Sequence, residues 1–552
     1  MPASPDGAAG ESDPPRQVPT SFRRLPSRVE TAVFASGVGS MGLEILAGRL
    51  LAPTFGSSVF TWGSVIGVFL AALAAGYWIA GRRAEQRASR RTLAVALAGA
   101  GVYVAGVVVA GEPLIGALAG LPVPARFEPL FPVTILFGPP TVLLGFVSPY
   151  AAELVDARSI GDASGRVYAL GTAGSILGAF GTTFLLVPAV GIAGVETFHG
   201  LVLVGAAALV APQGSSARAW AGLGTVALVA AYVFVTAGPF GGAVVYETQT
   251  QYQQLRVSQE GDVRTLYLDG TPHSAMDIDD PDRYVFEYTR YFHLPFLMRD
   301  DIDRVLFVGG GGFSGPKRFL REYDVTVDVV EIDPAVVDVA RRYFDVPDSP
   351  RLNVRVGDGR RFLRQTNRTY DLIVLDAYRA DRVPYQLTTV EFMRLAASRL
   401  DGEGILLANL ISATEGGGSG FYRAEYRTVR RVFPQVYSFP TTRTSGLQNI
   451  ELVATKNDTR LTAAELAARN RSRDIGIDLS GAIRNYRATV AVGEAPLLRD
   501  GDAPVDSLLA GQVDRQYVIE RSNATGTEPR IGVRVDTPRR DRPARADPSR
   551  GQ

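Results

Sequence analysis

Hydrophobic positions are organised in two different ways along this chain. Long apolar runs fill the first 240 residues: Val29 to Leu51, Ser57 to Gly81, Thr92 to Gly111, Leu130 to Ala152, Val167 to Val190, Thr197 to Ala211 and Ala219 to Ala237. Most approach the roughly 20 residues needed to cross a bilayer. They are rich in Gly and Ala, as closely packed membrane helices are. From Val244 the pattern shortens. Gln253 to Val257 and Val263 to Leu268 alternate like strands, with a turn at Gln259 to Asp262 and a second turn at Asp269-Gly270, which predicts a β-hairpin. Tyr284 to Met298 shows helical spacing of aromatics. Strands are then expected at 304–308, 325–330, 352–356, 371–375, 404–409 and 448–454, and helices at 315–323, 334–343, 359–366, 389–399 and 421–432. Strand–helix alternation predicts a doubly wound α/β sheet.

The expected organisation follows. Residues 1–28 form a disordered cytoplasmic tail and 29–238 a multi-span α-helical membrane domain of about seven or eight spans. Residues 244–300 hold the hairpin and a helix, and 301–456 a Rossmann-like α/β domain. A C-terminal extension at 457–525 and a disordered tail at 526–552 complete the chain. Arg16, Arg23, Arg24 and Arg28 precede the first span, and Arg82, Arg83, Arg87, Arg90 and Arg91 follow the second. Both regions read as cytoplasmic. A C-terminal half on the same side needs an even number of crossings: either Glu112 to Pro124 contributes to an extra span or one of the apolar segments is re-entrant. Glu44 and Arg49 lie in the first span, where ionisable groups are costly; Arg49 can also be read as snorkelling at a helix end. Glu153, Glu196 and His199 read as span-end residues.

Composition narrows the chemistry. The chain has 552 residues, 46% hydrophobic, with mean hydropathy +0.08 and formal net charge +1. That balance implies no general attraction to nucleic acid. Cysteine is absent, which excludes disulfides, thiolate nucleophiles and Cys-based zinc sites. The histidines are His199, His273 and His293, too scattered for a typical zinc cluster, so no metal is expected.

The readable chemistry lies between Arg304 and Ala377. Four short strands there end in VGGGG, VEIDP, VGDG and VLDA. A parallel sheet gathers such ends on one edge, where glycines admit a nucleoside and acids hold its hydroxyls and amine. Candidate ligands are Gly309, Gly310, Gly311, Glu331, Asp358 and Gly359. Asp333, before Pro334, reads more as a helix cap than a ligand, and Glu331 the reverse. Gly310-x-Gly312-x-x-Gly315, with Glu331 about twenty residues on, also fits a dinucleotide site. Asp358 and Asp376 favour an S-adenosylmethionine methyltransferase-type fold instead.

Several motifs together resemble the spermidine synthase (polyamine aminopropyltransferase) family, in its membrane-fused, spermidine synthase-like branch. They are Tyr252-Gln253-Gln254-Leu255-x-Val257, Leu268-Asp269-Gly270, His293-x-Pro295, the glycine loop, Val330-Glu331-Ile332-Asp333 and Gly357-Asp358-Gly359. Gly37, Glu44, Arg49, Pro53-x-Phe55-Gly56 and Trp62 are similar to the first spans of fused relatives. The resemblance implies that decarboxylated S-adenosylmethionine is the co-substrate. Gln253, Glu331 and Asp358 would hold its nucleoside, and the loop from Gly309 would let it pass close to the backbone. Asp376 would orient and deprotonate an attacking amine. It implies a small-molecule amine acceptor, a lipid bilayer around the first half, no nucleic acid, a homodimer, and a cell-membrane location with a cytoplasmic catalytic domain.

Departures from the pattern keep other readings open. Arg379 stands where the family has a second acid, and Asp381 falls two residues late. Gly312 replaces an acid, and His273 a glutamine. The alternatives are an S-adenosylmethionine-dependent methyltransferase and a non-catalytic polyamine or nucleoside sensor or transporter.

Overall fold

The computed structural model describes residues 26–509 except 56–57, 120, 122, 238–243 and 379–382, together with 512, 517–519 and 533–534. The expected terminal tails fall almost wholly outside the described residues, as do Arg16, Arg23, Arg24, Arg379 and Asp381.

Among the described residues seven helices are long and apolar enough to cross a membrane. They are α1 (Arg28–Phe55), α2 (Val59–Gly81), α3 (Arg90–Leu118), α4 (Leu130–Leu154), α5 (Ile160–Ala189), α6 (Ile192–Val210) and α7 (Ser216–Ala237). Small residues let them approach closely. A Cβ at Gly174 of α5 would fall 2.1 Å from the Phe34 carbonyl oxygen of α1, and one at Gly178 2.4 Å from that of Val38. The contacts advance together along both helices, so α1 and α5 run parallel. Arg166 pairs with Glu30 at their starts, and Arg91 donates to the Ser216 hydroxyl at 3.3 Å where α3 and α7 begin. The opposite end meets the rest of the chain: Arg49 donates to the Gln251 carbonyl oxygen at 2.5 Å, and the last turn of α5 packs on the strand that follows.

Two expectations about the bundle change. Glu112 to Pro124 adds no further helix: among the described residues it supplies the end of α3 and part of a connection. His199 is not at a helix end. It lies two turns inside α6, fully buried, with Nε2 at 2.8 Å from the Thr182 hydroxyl, where α5 loosens into a π-helical stretch, Thr182–Leu186. The Thr182 hydroxyl meets Nε2, while Nδ1 is buried with no hydrogen-bond partner among the described residues.

The second half holds two sheets. The hairpin region is a four-stranded antiparallel sheet, β1 (Val244–Gln249), β2 (Gln254–Glu260), β3 (Val263–Leu268) and β4 (Thr271–Asp277), in that order. Asp269 and Gly270 have φ of 47° and 76°, the positive pair a two-residue hairpin turn needs. The stretch expected as one helix over Tyr284 to Met298 is a 3-10 helix, Glu287–His293, followed by a short α-helix, Leu294–Met298. Pro295 sits at the start of the latter, where its missing N–H costs nothing.

The larger sheet contains β5 (Arg304–Val308), β6 (Thr326–Glu331), β7 (Leu352–Val356), β8 (Tyr370–Leu375), β9 (Leu400–Ala413), β10 (Gln435–Pro440) and β11 (Leu447–Thr455), ordered β10-β11-β9-β8-β5-β6-β7. Strands β5 to β9 pair in parallel, while β11 is antiparallel to both neighbours. Strand β10 had no sequence expectation. Helices α8 (Ser314–Glu322), α9 (Pro334–Tyr343), α10 (Gly359–Gln365), α11 (Val390–Arg399) and α12 (Gly420–Arg430) lie between them. The central strands are apolar on both faces, with Val305, Phe307, Leu372 and Val374 in one core and Leu306, Val308, Ile373 and Leu375 in the other. This is a Rossmann-like α/β domain of methyltransferase type. The chain winds outward from β5 to β7, then returns to β8 on the far side of β5. Ligands of such sheets bind where that reversal occurs.

Candidate functional site

Backbone hydrogen bonds tie the strand tips together at the reversal. Gly309 donates its N–H to Val330 O at 2.9 Å, Gly357 to Glu331 O at 2.8 Å and Asp376 to Val308 O at 2.9 Å. The ends of β5, β6, β7 and β8 therefore form one continuous edge. Of the residues expected to meet there, Gly309, Gly310, Gly311, Glu331, Asp333, Asp358, Gly359 and Asp376 all stand on it.

The glycine loop is shaped by contacts that side chains would break. Gly309 has φ of 99°, and a Cβ on it would fall 2.3 Å from the Asp376 carbonyl oxygen. A Cβ on Gly359 would fall 2.4 Å from Val308 Cγ1. Gly312 donates its N–H to Ser274 Oγ at 2.9 Å, and a Cβ there would lie 2.7 Å from Ser274 Cβ. The acid that the family pattern carries at Gly312 has no room against β4.

Glu331, at the end of β6, is buried but well served. Its carboxylate accepts from the N–H groups of Gly310 at 2.8 Å and Asp333 at 3.0 Å. Burial raises its pKa, and those two N–H groups pull it back. Each oxygen keeps a lone pair for a further donor such as a sugar hydroxyl. Asp333 caps α9 by accepting from Ala335 N–H at 3.0 Å. Its other oxygen accepts from the Thr250 hydroxyl at 2.6 Å, and the Gln253 side chain also bonds to it. Asp333 is thus a helix cap that fastens the β1–β2 connection, with Gln253, to the nucleoside edge. Asp358 caps α10 through Arg361 N–H at 2.7 Å and is half-buried.

Beyond β8 the character of the edge changes. Asp376 receives one side-chain hydrogen bond, from Asn409 Nδ2 at 2.8 Å, and burial pushes its pKa up to about 6. Asn409 Oδ1 accepts from Asn449 Nδ2 at 2.8 Å, and Asn449 Oδ1 accepts from the Tyr517 hydroxyl at 2.8 Å. Glu451 pairs with Asn409 across β11 and β9 and is fully buried. Asn409, Asn449, Glu451 and Tyr517 went unremarked in the sequence. Their signal was faint: a carboxylate and amides interrupting the apolar strands Leu400–Ala413 and Leu447–Thr455. Among the described residues no group of three or more His, Asp or Glu side chains is placed to hold a metal ion.

Known proteins resemble the second half of the chain. Residues 286–444 match the family described as Spermine/spermidine synthase domain. A polyamine aminopropyltransferase of Vibrio vulnificus is 30% identical over 233 residues, spanning 40% of this chain and 76% of that protein. One from Thermococcus kodakarensis is 29% identical over 242 residues, spanning 40% and 79%. A probable spermidine synthase crystal structure from Corynebacterium glutamicum aligns at 23% identity and a TM-score of 0.40, covering 48% of this chain and 98% of that one. With a relative 30% identical and matched over three quarters of its length, this chain belongs to the polyamine aminopropyltransferase family.

Proposed function

We propose that the chain is a membrane-anchored spermidine synthase-like transferase, which moves an aminopropyl group from decarboxylated S-adenosylmethionine to an amine. The observation that carries this is the single edge formed by the Gly309 loop, Glu331, Asp358 and Asp376. Glu331 would take the ribose hydroxyls, Asp358 the adenine amine, and Gln253 would close the pocket from the smaller sheet. The acceptor nitrogen, as neutral amine, attacks the propyl carbon next to the sulfonium. A C–N bond forms as the C–S bond breaks, and sulfur keeps the electron pair, leaving methylthioadenosine. The proton lost by nitrogen passes to the Asp376 carboxylate and on to water. A carboxylate held near pKa 6 suits that role, because it is ionised at neutral pH yet more basic than an ordinary aspartate. The test is methylthioadenosine release by the purified full chain from decarboxylated S-adenosylmethionine and a panel of amines. No release with any amine rejects the reading. Tighter calorimetric binding of the carboxylated cofactor would favour methyl transfer instead.

The anchoring rests on the seven apolar helices, with the division from the transferase near residues 238–244. Seven crossings leave the start of α1 and the α/β domain on opposite faces. Arg28, Arg82, Arg83, Arg87, Arg90, Arg91, Arg158, Arg166 and Arg218 lie at the end where α1 starts; Arg49 and Arg126 lie at the other. Arginine-rich loops stay in the cytoplasm. Taken alone this distribution favours an α/β domain on the far face, whereas a reaction that consumes decarboxylated S-adenosylmethionine, an intracellular co-substrate, requires the cytoplasmic face, and the two are separated by a fusion test. A green fluorescent protein fused at the C-terminus should then stay dark while an N-terminal fusion fluoresces; bright C-terminal fusions would restore the cytoplasmic reading.

A further inference from the structure

A buried carboxylate and a buried imidazole stand one turn apart on α6, inside the helical bundle and away from the strand-tip edge. Glu196 is 2% exposed, and its Oε1 has no hydrogen-bond partner among the described residues; His199 is 0% exposed, and its Nδ1 has none either. Side chains three positions apart on a helix are neighbours, with about 5–6 Å between Cβ atoms. At 1.5 Å per residue, Glu196 lies roughly 6 Å and His199 roughly 10 Å inside the start of α6. Ionisable groups within an apolar bundle are costly, and where they occur they mark ion or proton routes.

The neighbouring helices are shaped around this pair. A Cβ on Gly42 of α1 would fall 2.0 Å from His199 Cε1, so the imidazole fills the space that Gly42 leaves. Its Nε2 meets the Thr182 hydroxyl in the π-helical stretch of α5. Such stretches are rare and are frequent at functional sites. On the other side, a Cβ on Gly101 of α3 would fall 2.5 Å from Val204 Cγ2 of α6. Helices α3 and α6 run in opposite directions, so Glu112, near the end of α3, stands by the start of α6. Glu112 is exposed, and its charge acts on Glu196. A polar route therefore leads from the face that carries the α/β domain past Glu112 to Glu196, His199 and Thr182.

The other polar groups at this level are placed differently. Glu44 lies one turn from Gly48, whose Cβ would meet Trp62, so its face of α1 turns toward α2. Arg49 donates to the Gln251 carbonyl oxygen, and Tyr232 of α7 packs beside Gly194. The remaining charges of α1, α3, α5 and α7 lie in their first two turns, at the opposite end. A proton on Glu196 would remove its charge from the apolar interior and give it an O–H to donate. It also needs no room beyond the space already filled at Gly42.

We infer that Glu196 and His199 form an intramembrane proton-binding site, entered from the face that carries the α/β domain by way of Glu112. The proton comes from water at that face, adds to a Glu196 carboxylate oxygen and returns by the same route. The inference rests on the membrane-anchored reading and goes beyond it, since the transferase edge takes no part.

Labelling of the full chain in sealed vesicles with a hydrophobic carbodiimide tests this. The reagent adds to the protonated carboxyl, peptide mass spectrometry locates the adduct, and protease access marks the side of the α/β domain. Glu196 should be modified in the wild type. The adduct should be lost when the buffer on the α/β side is made alkaline, and kept when only the other side is. Glu112→Gln should slow that loss, and Glu196→Gln should remove the adduct. Labelling indifferent to pH on both sides would reveal a permanently neutral structural carboxyl and overturn the inference, even if E196Q proves unstable. No adduct at Glu196, or one that follows only the opposite side, overturns it too. A chain that fails to float with vesicles rejects the membrane reading itself, whereas one that floats without a pH-dependent adduct rejects the site alone.

Discussion

The two ends of the strand-tip edge treat their carboxylates in opposite ways. Glu331 is buried and bonded to two backbone N–H groups before any ligand arrives. Among the described residues Glu451, buried just as deeply, has no hydrogen-bond partner, and Asp376 accepts from the Asn409 amide. The nucleoside end is preorganised: its groups are already oriented, and binding adds to a satisfied frame. The acceptor end is held in a state that a cation would relieve. One end invests in shape and the other in buried charge, the contrast that the proposed transfer from a nucleoside sulfonium to an amine would use.

Breaking the acceptor end should have the larger effect. Asp376→Asn should lower kcat by about 10²–10⁴-fold, the usual contribution of a positioned base, with nucleoside affinity unchanged in a binding titration. Breaking the nucleoside end should mainly affect binding. Glu331→Gln turns an amide N–H₂ toward the N–H of Gly310 or Asp333, and nucleoside affinity should fall about 10–100-fold, as expected for lost charge-assisted bonds. The acidic limb of the kcat/KM profile should drop about tenfold per pH unit below about 6, where Asp376 takes up a proton. The smallest effect concerns stability. The folded-state pKa of Asp376 lies above its ordinary 3.8, so the native state binds more protons than the unfolded chain between about 4 and 6. Stability therefore declines as pH rises through that window, and the penalty is complete above it. D376N, in chemical denaturation at neutral pH, should be more stable than the wild type by on the order of 1–3 kcal/mol. A variant equally stable would show that the carboxylate is better solvated than its burial implies.

Much of the strand-tip edge was legible in the sequence because glycine and acid at strand ends are local signals. Gly309 to Gly312, Glu331 and Asp358 each sit within a few residues of the strand that places them. The polar row beyond β8 was not, since Glu451 comes beside Asn409 only through strand pairing across some forty positions. The C-terminal strands were legible as apolar runs, but antiparallel insertion of β11 beside β9 is a long-range event that no local pattern encodes. The helices of the first half were legible from the length of their apolar runs, while Glu112 to Pro124 carries no such run and adds no helix among the described residues. Arg49 was ambiguous for a related reason. Nothing near it in sequence reveals that its partner is a carbonyl two hundred residues away.

That contact has a mechanical corollary. The Arg49 guanidinium, rooted in α1, grips the Gln251 carbonyl just two residues before Gln253, and its charge helps keep Asp333 from drifting further upward in pKa. On the membrane-anchored reading proposed above, a tilt of α1 would tug on the loop that carries Gln253, and bilayer thickness would bear on the proposed nucleoside site. Nucleoside affinity should vary between nanodiscs of thin and thick lipid in the wild type, and lose that dependence in Arg49→Met.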